Sequence, residues 1–480
     1  MANTSQPISG TVLFTNNPVD NFGDVSCALK CARSLVEAGT LQSRQVEIRP
    51  SVRLDKFRGF DHYHFKVSPL FKERKWHDSG PREFEEISGL AFQVVAPSNG
   101  CGDAFLHLRR KGVKTLSLFE YGFNPDRLPA LEPFYLALGL GLGEDKKGIF
   151  IEHDWEKQHA LTTRAQRMER FTEISPELQR RILGELPLPA FAESCGLYVG
   201  YSNDDTMRLG FVDAILNTNL TDETLVLILP RFDANKHENA IREICELNQV
   251  KTLIISDPEK ERFVSIAEEG RAVRLCVGSF DHHDLLLLWQ SSEEEALVTG
   301  DQSVSEAISA NKRFCYEERD HKQRFASSMT AIFSNCDPER HPARGWHFPA
   351  VLPTLRTHNW NTYTSCSTAM QKLFDPKFRA HFTAFNREVC LHHNCVPHID
   401  KAIREMLESE AEKKIVYLFD SDAFDPTQLE DGIVYIISLD QMLGMKIKTD
   451  TGESLLPELN GKTFENGNLK DLFYVVQTTL

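Results

Sequence analysis

The chain has 480 residues, more than one hydrophobic core usually organises, so its length predicts two packed domains and an additional segment. Hydrophobic residues make up 41% and charged residues 26%, and no apolar run approaches the roughly 20 residues of a membrane-spanning helix, which argues against a membrane partner. The 69 acidic residues outnumber the 54 basic ones, and the resulting net charge of -15 argues against general binding to nucleic acid.

The start of the chain and its cysteines predict where the protein folds. Residues 1–10 are polar and lack the basic cluster of an export signal. The 11 cysteines are scattered singly, whereas a disulfide framework belongs to short, loop-rich secreted chains. We therefore expect reduced cysteines and a cytoplasmic protein, either in the producing cell or, if the chain is delivered as an effector, in a host cell.

Residues 1–155 are predicted to form a Rossmann-like domain. Short β-rich runs alternate there with helical patterns, which is typical of a parallel α/β sheet. The clearest helix is predicted to begin just after Asp24, with Ala28, Leu29 and Ala32 on its apolar face. The predicted strands are residues 11–15, 46–49, 91–96, 115–119 and 148–151.

A second domain of the same kind is predicted over residues 194–335. The charged, helical residues 156–193 before it suggest an interdomain connection. After residue 335 the pattern loosens, so residues 336–480 are interpreted as a C-terminal α+β extension of unknown role, with a helix at 399–412. The predicted strands are 197–200, 225–229, 252–255, 273–277, 296–299 and 313–316, followed by 415–419 and 433–437 in the extension.

The loop after the first predicted strand carries two carboxylates, Asp20 and Asp24. In open α/β sheets, ligands sit outside the carboxyl ends of strands, where helix N-termini also present free N–H groups. One of these two carboxylates can act there as a general base that the other orients, with Asn21, Phe22 and Gly23 between them. The alternative is that Asp24 caps the helix and Asp20 fixes a turn.

A second candidate turn begins at Gly300, after the predicted strand 296–299, and a helix is predicted from Ser303. Strand, glycine turn and helix bring backbone N–H groups and the positive helix end to a diphosphate, with no need for a metal or a lysine. The Ser303 hydroxyl can donate to the diphosphate, while Asp301 or Glu306 can accept hydrogen bonds from ribose or sugar hydroxyls. The alternative is a capping box in which Ser303 and Glu306 satisfy the helix itself.

Neither of the common phosphate-binding signatures accounts for this turn. It does not have the pattern Gly-x-Gly-x-x-Gly, and the chain contains no Gly-x-x-x-x-Gly-Lys-Ser/Thr loop. Dehydrogenase and kinase functions are therefore disfavoured.

Together these segments resemble the bacterial elongation factor P arginine rhamnosyltransferases, which are inverting enzymes of the GT-B fold that use dTDP-rhamnose. The run from Val19 to Asp24 is similar to the family's Asp-Asn-Phe-Gly-Asp signature. Leu286-Leu-Leu-Trp289, followed by the run from Gly300 to Ser303, is similar to its Leu-Leu-Trp and Arg-Gly-Glu-Asp-Ser segments. The resemblance covers roughly residues 11 to 330 and implies two Rossmann-like domains that face a central cleft.

The resemblance also implies roles for individual residues. Asp20 would be the general base and Asp24 its catalytic partner. Asp301, Gln302 and Ser303 would fall on donor-diphosphate and catalytic positions. A further similarity places Tyr201 among the aromatic residues that hold the thymine base in that family.

The chain departs from the family pattern around the donor. Thr299 replaces the family's arginine, Asp301 and Gln302 replace its glutamate and aspartate, and Val199 stands where an aromatic residue would stack on the base. Loss of a guanidinium removes a bidentate phosphate partner, and loss of an aromatic residue removes a stacking platform. A distant relative that uses another nucleotide sugar fits these departures better than a strict orthologue.

The sequence thus predicts an inverting, metal-independent glycosyltransferase of the hexosyltransferase class. It would move a sugar from a nucleotide-diphosphate donor to an acceptor, with a protein arginine as one candidate, and it would need no cofactor. Cys390, His392, His393 and Cys395 are metal-ligand types, but their spacing matches no standard zinc pattern. Two alternatives stay open, a nucleotide-sugar epimerase of similar fold and a non-catalytic interaction protein that binds sugar nucleotides.

Overall fold

In the computed structural model the chain divides into two compact units. Unit 1 comprises Met1–Gly141, Asp145–Lys147 and Cys395–Leu480, and unit 2 comprises Leu142–Glu144 and Gly148–Asn394. The residues that the structure describes are 11–16, 22–49, 66–67, 89–96, 113–119, 121–122, 135–336, 354–356, 362–408, 414–418, 433–438 and 473–477.

The described strands form three sheets. In chain order they are β1 (Thr11–Asn16), β2 (Val46–Arg49), β3 (Lys66–Val67), β4 (Gly89–Ala96), β5 (Lys114–Phe119), β6 (Tyr135–Gly139), β7 (Cys195–Gly200), β8 (Thr224–Pro230), β9 (Val250–Ser256), β10 (Glu261–Ser265), β11 (Arg271–Gly278), β12 (Glu295–Thr299), β13 (Arg313–Glu318), β14 (Thr354–Arg356), β15 (Lys414–Leu418), β16 (Ile433–Ser438) and β17 (Phe473–Gln477).

The described helices alternate with these strands. They are α1 (Phe22–Glu37), α2 (Trp155–His159), α3 (Arg164–Glu169), α4 (Pro176–Leu183), α5 (Leu188–Ser194), α6 (Asp205–Thr218), α7 (Glu238–Leu247), α8 (His282–Ser291), α9 (Gly300–Ser309), α10 (Gln323–Asn335), α11 (Tyr363–Leu373), α12 (Arg379–His392) and α13 (Val396–Glu408). Short 3-10 turns lie at Ser43–Gln45, Arg170–Glu173, Asp320–Lys322 and Pro376–Phe378. Within the described ranges, each helix is too short or too polar to cross a membrane.

Unit 1 contains a six-stranded sheet whose strands all run parallel, in the order β3-β2-β1-β4-β5-β6. Residues 115–118 of β5 are buried, as expected for a parallel sheet covered on both faces. Helix α1 turns an apolar stripe to this sheet that includes Ala28, Cys31, Ala32 and Leu35, all nearly inaccessible to water. A separate three-stranded sheet has the order β15-β16-β17.

Unit 2 is organised around an eight-stranded sheet of order β10-β9-β11-β8-β7-β12-β13-β14, in which only β10 is antiparallel to its neighbour. Its central strands are continuous apolar runs, and every residue of β7 is buried. Two sheets that are wholly or largely parallel, with intervening helices, confirm the predicted α/β class with two Rossmann-like units.

In each unit the chain reverses its direction of travel across the sheet beside the first strand. In unit 1, strands β2 and β3 lie on one side of β1, and β4 to β6 lie on the other. In unit 2, the chain adds β8 to β11 on one side of β7 and then crosses to begin β12 on the other. Such switch points leave a crevice at the carboxyl ends of the two strands concerned, where open α/β sheets bind ligands.

Two predicted helix starts and one predicted strand are wrong. Helix α1 begins at Phe22, not after Asp24, and α9 begins at Gly300, not at Ser303. Residues 148–151 do not form a strand but contribute one isolated bridge, between Ile149 and Asn394.

The predicted interdomain connection, residues 156–193, lies within unit 2 and is tied to it by ion pairs. Two nitrogens of Arg164 donate to the two carboxylate oxygens of Asp222 at 2.8 and 2.9 Å. Arg164 and Arg167 also both contact the carboxylate of Glu293. Because these carboxylates are largely buried, the pairs anchor α3 to the sheet.

The described residues of the predicted extension, 336–480, are divided between the two units. Strand β14 pairs with β13, and α11 packs against α6, both in unit 2. Helix α13 belongs to unit 1, where Lys114 Nζ donates to the carbonyl of Leu407 at 3.2 Å and Thr40 Oγ1 donates to Asp400 at 2.7 Å.

We expect Arg164→Leu to lower the free energy of unfolding by about 3 kcal/mol, because it removes a partner from two largely buried carboxylates. Urea unfolding followed by circular dichroism measures the change. Arg242→Leu is the matched control, since the Arg242–Glu246 pair is 52% and 59% exposed, and exposed pairs contribute at most about 1 kcal/mol. An effect of Arg164→Leu no larger than that of the control would show that α3 is not anchored by these pairs.

Candidate functional site

The candidate site of unit 2 lies at its topological switch point. Strands β8, β7 and β12 are consecutive neighbours in the sheet and run parallel, so their carboxyl ends lie at one edge. The backbone N–H of Tyr201, just beyond β7, donates to the carbonyl of Leu297 in β12 at 2.7 Å. This bond fixes the loop after β7 beside the turn after β12, so Tyr201 and Gly300 belong to the same edge.

Gly300 makes the turn from β12 into α9. Its φ of +75° lies in the left-handed region that favours glycine, and a Cβ built on it would meet no atom within 4 Å. The preceding residue, Thr299, makes no side-chain cap bond to the helix. The start of α9 thus presents backbone N–H groups without a side-chain cap beside open space, which is the geometry that accepts an anionic group.

Ser303 lies inside α9, so the alternative of a capping box with Ser303 as the cap residue is wrong. Its hydroxyl accepts a hydrogen bond from the backbone N–H of Thr299 at 3.2 Å and donates to the carbonyl of the same residue. The side chain closes the strand-to-helix turn from within. Glycine at position 300 allows the chain to enter the helix three residues earlier than the serine pattern indicates.

Asp301 forms a buried ion pair that the sequence does not reveal. Lys322 Nζ lies 2.8 Å from one carboxylate oxygen of Asp301 and donates to the other at 3.0 Å. Their side chains are only 5% and 14% exposed, respectively. A carboxylate held in this way is suited to positioning neighbouring groups, and its availability as a catalytic base depends on the lysine moving away.

Several buried polar atoms flank the Gly300 turn without partners in the described part of the chain. They are the hydroxyl of Thr299, both amide atoms of Gln302 and the hydroxyl of Tyr316. Burial raises the pKa of the Tyr316 phenol well above its usual value, and the nearby carboxylates of Asp301 and Glu317 add to that effect. Leaving each such group unsatisfied costs about 1–3 kcal/mol, so their concentration at one turn indicates a place where a polar ligand or water binds.

Glu306 is 3% exposed in the second turn of α9. Its carboxylate lies 3.9 Å from His282 Nε2, at the start of α8. The two helix starts therefore place an acid and an imidazole side by side at this edge. A buried carboxylate near a polar ligand site suits the predicted role of accepting a hydroxyl hydrogen bond.

Glu317 organises the loop after β7 and is absent from the sequence prediction. One of its oxygens accepts from the Ser202 hydroxyl at 2.7 Å and from the Asn203 N–H at 2.8 Å. Tyr201, immediately before them, is half-buried. The signal in the sequence is the pair of acidic residues that follows the apolar residues 314–316 and ends β13, because acids at a buried strand end need partners.

The predicted acceptor-side residues belong to unit 1. Asp20 and Asn21 lie outside the described residues. The backbones of Phe22, Gly23 and Asp24 form the first turn of α1, and β1, which precedes that helix, ends at the switch point beside β4. The structure therefore assembles Tyr201, Gly300, Asp301, Gln302, Ser303 and Glu306 in unit 2, and places the start of α1 in the other unit.

No cluster of three or more His, Cys, Asp or Glu residues within the described ranges has the arrangement needed to hold a metal ion. Cys390, the first residue of the predicted ligand series, lies in α12 and is buried, and burial raises the pKa of its thiol well above the ordinary value.

No protein-family model matches the chain, and no curated protein matches its sequence. Among solved structures, the chain is similar to MurG from Acinetobacter baumannii, with a TM-score of 0.46 and 11% identity over 83% of this chain and 100% of that one. The UDP-GlcNAc 2-epimerase from Neisseria meningitidis, bound to UDP-GlcNAc, has a TM-score of 0.44 and 9% identity over 83% and 100%. The glycosyltransferase VinC, in complex with dTDP, has a TM-score of 0.40 and 11% identity over 83% and 100%.

We expect Asp301→Asn to destabilise the protein by about 3 kcal/mol, because it leaves the buried ammonium of Lys322 without its carboxylate. The double variant Asp301→Asn/Lys322→Met should recover part of this loss, since it also removes the stranded charge. Chemical unfolding of the wild type, both single variants and the double variant measures the coupling. The exposed Glu246→Gln serves as the control, and purely additive effects would contradict a structural ion pair.

Proposed function

We propose that the chain is a metal-independent, inverting glycosyltransferase of GT-B type that binds a nucleotide-diphosphate sugar at the carboxyl edge of unit 2. The observation that carries the proposal is the Gly300 turn. An open glycine, an uncapped helix start and the unpartnered groups of Thr299 and Gln302 converge at a switch point of the sheet. Binding sites in open α/β sheets combine these features.

The donor diphosphate is assigned to the start of α9. Backbone N–H groups and the positive end of the helix stabilise charge that develops on the leaving diphosphate as the bond to the sugar breaks. The absence of a side chain at Gly300 allows the phosphate oxygens to approach the backbone. Gln302 supplies both a donor and an acceptor, and Glu306 is placed to accept from ribose or sugar hydroxyls.

Acceptor activation is assigned to unit 1, where Asp20 serves as the base and Asp24 as its partner. In an inverting transfer, the acceptor attacks the anomeric carbon from the face opposite the departing diphosphate, and its proton passes to a base on that face. With a hydroxyl acceptor, an aspartate is sufficient as the base. With an arginine acceptor, whose pKa lies above about 12, the carboxylates instead polarise and position the guanidinium.

Donor binding is tested first with a thermal-shift panel of dTDP-rhamnose, UDP-glucose, UDP-N-acetylglucosamine and GDP-mannose. A donor that binds the folded state raises the melting temperature through linkage. Gly300→Ala should abolish this shift and weaken donor affinity at least about tenfold, because its methyl group occupies the space that the diphosphate enters.

Gly39→Ala is the matched control for Gly300→Ala. Gly39 has a φ of +76° and the same open surroundings, but it lies in unit 1 after α1. Both substitutions introduce a similar backbone strain of about 1 kcal/mol. The two variants should therefore differ in donor affinity and not in stability. If both variants bound the donor with equal affinity, the Gly300 turn would not be part of the donor site.

Catalysis is tested with Asp20→Ala. We expect this variant to lose transfer of labelled sugar from the stabilising donor into protein of a bacterial extract while its donor affinity stays nearly intact, because the base acts on the acceptor. Asp145→Ala, an exposed aspartate of the same unit, should transfer at the normal rate. Donor turnover without an acceptor would indicate an epimerase, and binding without any turnover would indicate an interaction protein.

A further inference from the structure

A cluster of basic side chains lies at the same edge of unit 2, on the other side of β7 from Gly300. It is centred on Asp205, the first residue of α6. Arg208 Nη1 donates to this carboxylate at 2.6 Å, His237 Nε2 lies 2.8 Å from it, and Lys236 Nζ donates to it at 3.4 Å. Three basic groups thus share one carboxylate.

Aromatic packing fixes two of these groups in place. The ring of His237 stacks on Phe232 with a centroid separation of 5.5 Å and an interplanar angle of 9°. The guanidinium carbon of Arg208 lies 6.0 Å from the centroid of the same ring. Because the rings and the guanidinium are held together, the basic surface is preorganised before any ligand arrives.

Arg208 retains unused hydrogen-bonding capacity. Its side chain is almost fully buried, and its second terminal nitrogen donates to the carbonyl of Pro230 at 3.2 Å. Its Nε has no hydrogen-bond partner among the described residues. A buried guanidinium N–H left in this state costs about 1–3 kcal/mol, and an anionic ligand would remove that cost.

Two further acidic residues beside the cluster, Asp204 and Asp233, accept hydrogen bonds from the backbone. Asp204 caps α6 by accepting from the N–H groups of Thr206 and Met207. Asp233 accepts from the N–H groups of Asn235 and Lys236. Among the described residues, Asp205 is the carboxylate that contacts all three basic side chains. Burial alone would raise the pKa of Asp205, but the hydrogen bonds from His237 and Arg208 outweigh burial and lower it.

At the Gly300 turn, unlike at the basic cluster, the nearby carboxylates outnumber the nearby ammonium group. The ammonium that contacts it, Lys322, is already matched by Asp301, and the carboxylates of Glu306 and Glu317 are buried nearby. A diphosphate at this turn would meet backbone dipoles but no surplus cation from these residues. Strands β8 and β12 flank β7 at about 4.8 Å each, so the basic cluster lies within reach of a ligand at the same edge.

We propose that Arg208, Lys236 and His237 form a binding site for a phosphate-type anion. This inference rests on the proposed function in assigning the anion to the donor diphosphate, for which the cluster supplies the cationic charge that Thr299 cannot. Lys236, whose side chain is 66% exposed, is free to turn toward the ligand. Arg208 is the buried member of the site, and His237 lies at its partly exposed rim.

The test is calorimetric titration of the full-length chain with inorganic pyrophosphate, with the donor found by thermal shift and with the corresponding free nucleoside. We expect Lys236→Gln/His237→Gln to weaken pyrophosphate and donor binding at least about tenfold and to reduce the salt dependence of both. Nucleoside affinity should not change, because the nucleoside carries no phosphate. These side chains are partly exposed, so the variant avoids the folding risk of replacing Arg208.

The matched control is His153→Gln/Lys251→Gln, which removes the same residue types from exposed positions of unit 2. Pyrophosphate affinity equal to that of the wild type in the cluster variant would overturn the inference, as would a wild type that binds no pyrophosphate. Unchanged donor affinity in the cluster variant would overturn the assignment to the donor and leave the proposed function standing. Cluster-dependent pyrophosphate binding without any donor binding would support the anion site and contradict the proposed function.

Discussion

The direction of the strands is the constraint on which the rest of the structure depends. Nearly all strands of the two large sheets run parallel. Within a sheet the parallel strands therefore end at the same edge, and the chain returns to the opposite edge through a connecting segment, usually a helix, before the next strand begins. At the edge of unit 2 where the parallel strands end, the segments that follow β8, β7 and β12 become immediate neighbours. The sheet thereby brings His237, Tyr201 and Gly300 to the same edge, although they lie far apart in the sequence.

Some of the buried polar groups at this edge are already hydrogen-bonded within the scaffold. Glu317 is satisfied by the loop after β7, and Asp284 in α8 accepts from the backbone and hydroxyl of Ser175 at 2.9 and 2.6 Å. Such groups hold turns in position. The side chains of Thr299 and Gln302 differ, because their polar atoms have no hydrogen-bond partner among the described residues. Glu317 and Asp284 therefore hold the structure around the site, whereas Thr299 and Gln302 have polar atoms available to a ligand.

Local patterns predict strand positions well, and they predict long-range contacts poorly. The predicted strand at Val46–Arg49 matches the structure because its β-rich run is local in sequence. Lys322 reaches Asp301 only because β13 lies beside β12, which no spacing in the chain encodes. The predicted helix start at Ser303 is late because serine resembles a cap residue there, whereas the positive φ of Gly300 turns the chain earlier.

Unit 1 is assembled from segments that lie before and after the long segment Gly148–Asn394 of unit 2, and this order has a consequence during synthesis on the ribosome. Lys114 finds its carbonyl partner at Leu407, 293 positions later. Helix α13 packs on α1 and β6, and it leaves the ribosome only after most of the polypeptide has been made. The surfaces of α1 and β6 that α13 covers therefore stay exposed until then, while unit 2 can already fold. Nascent chains usually fold their N-terminal domain first, so this architecture reverses the order and leaves prematurely terminated chains with an incomplete, aggregation-prone first unit.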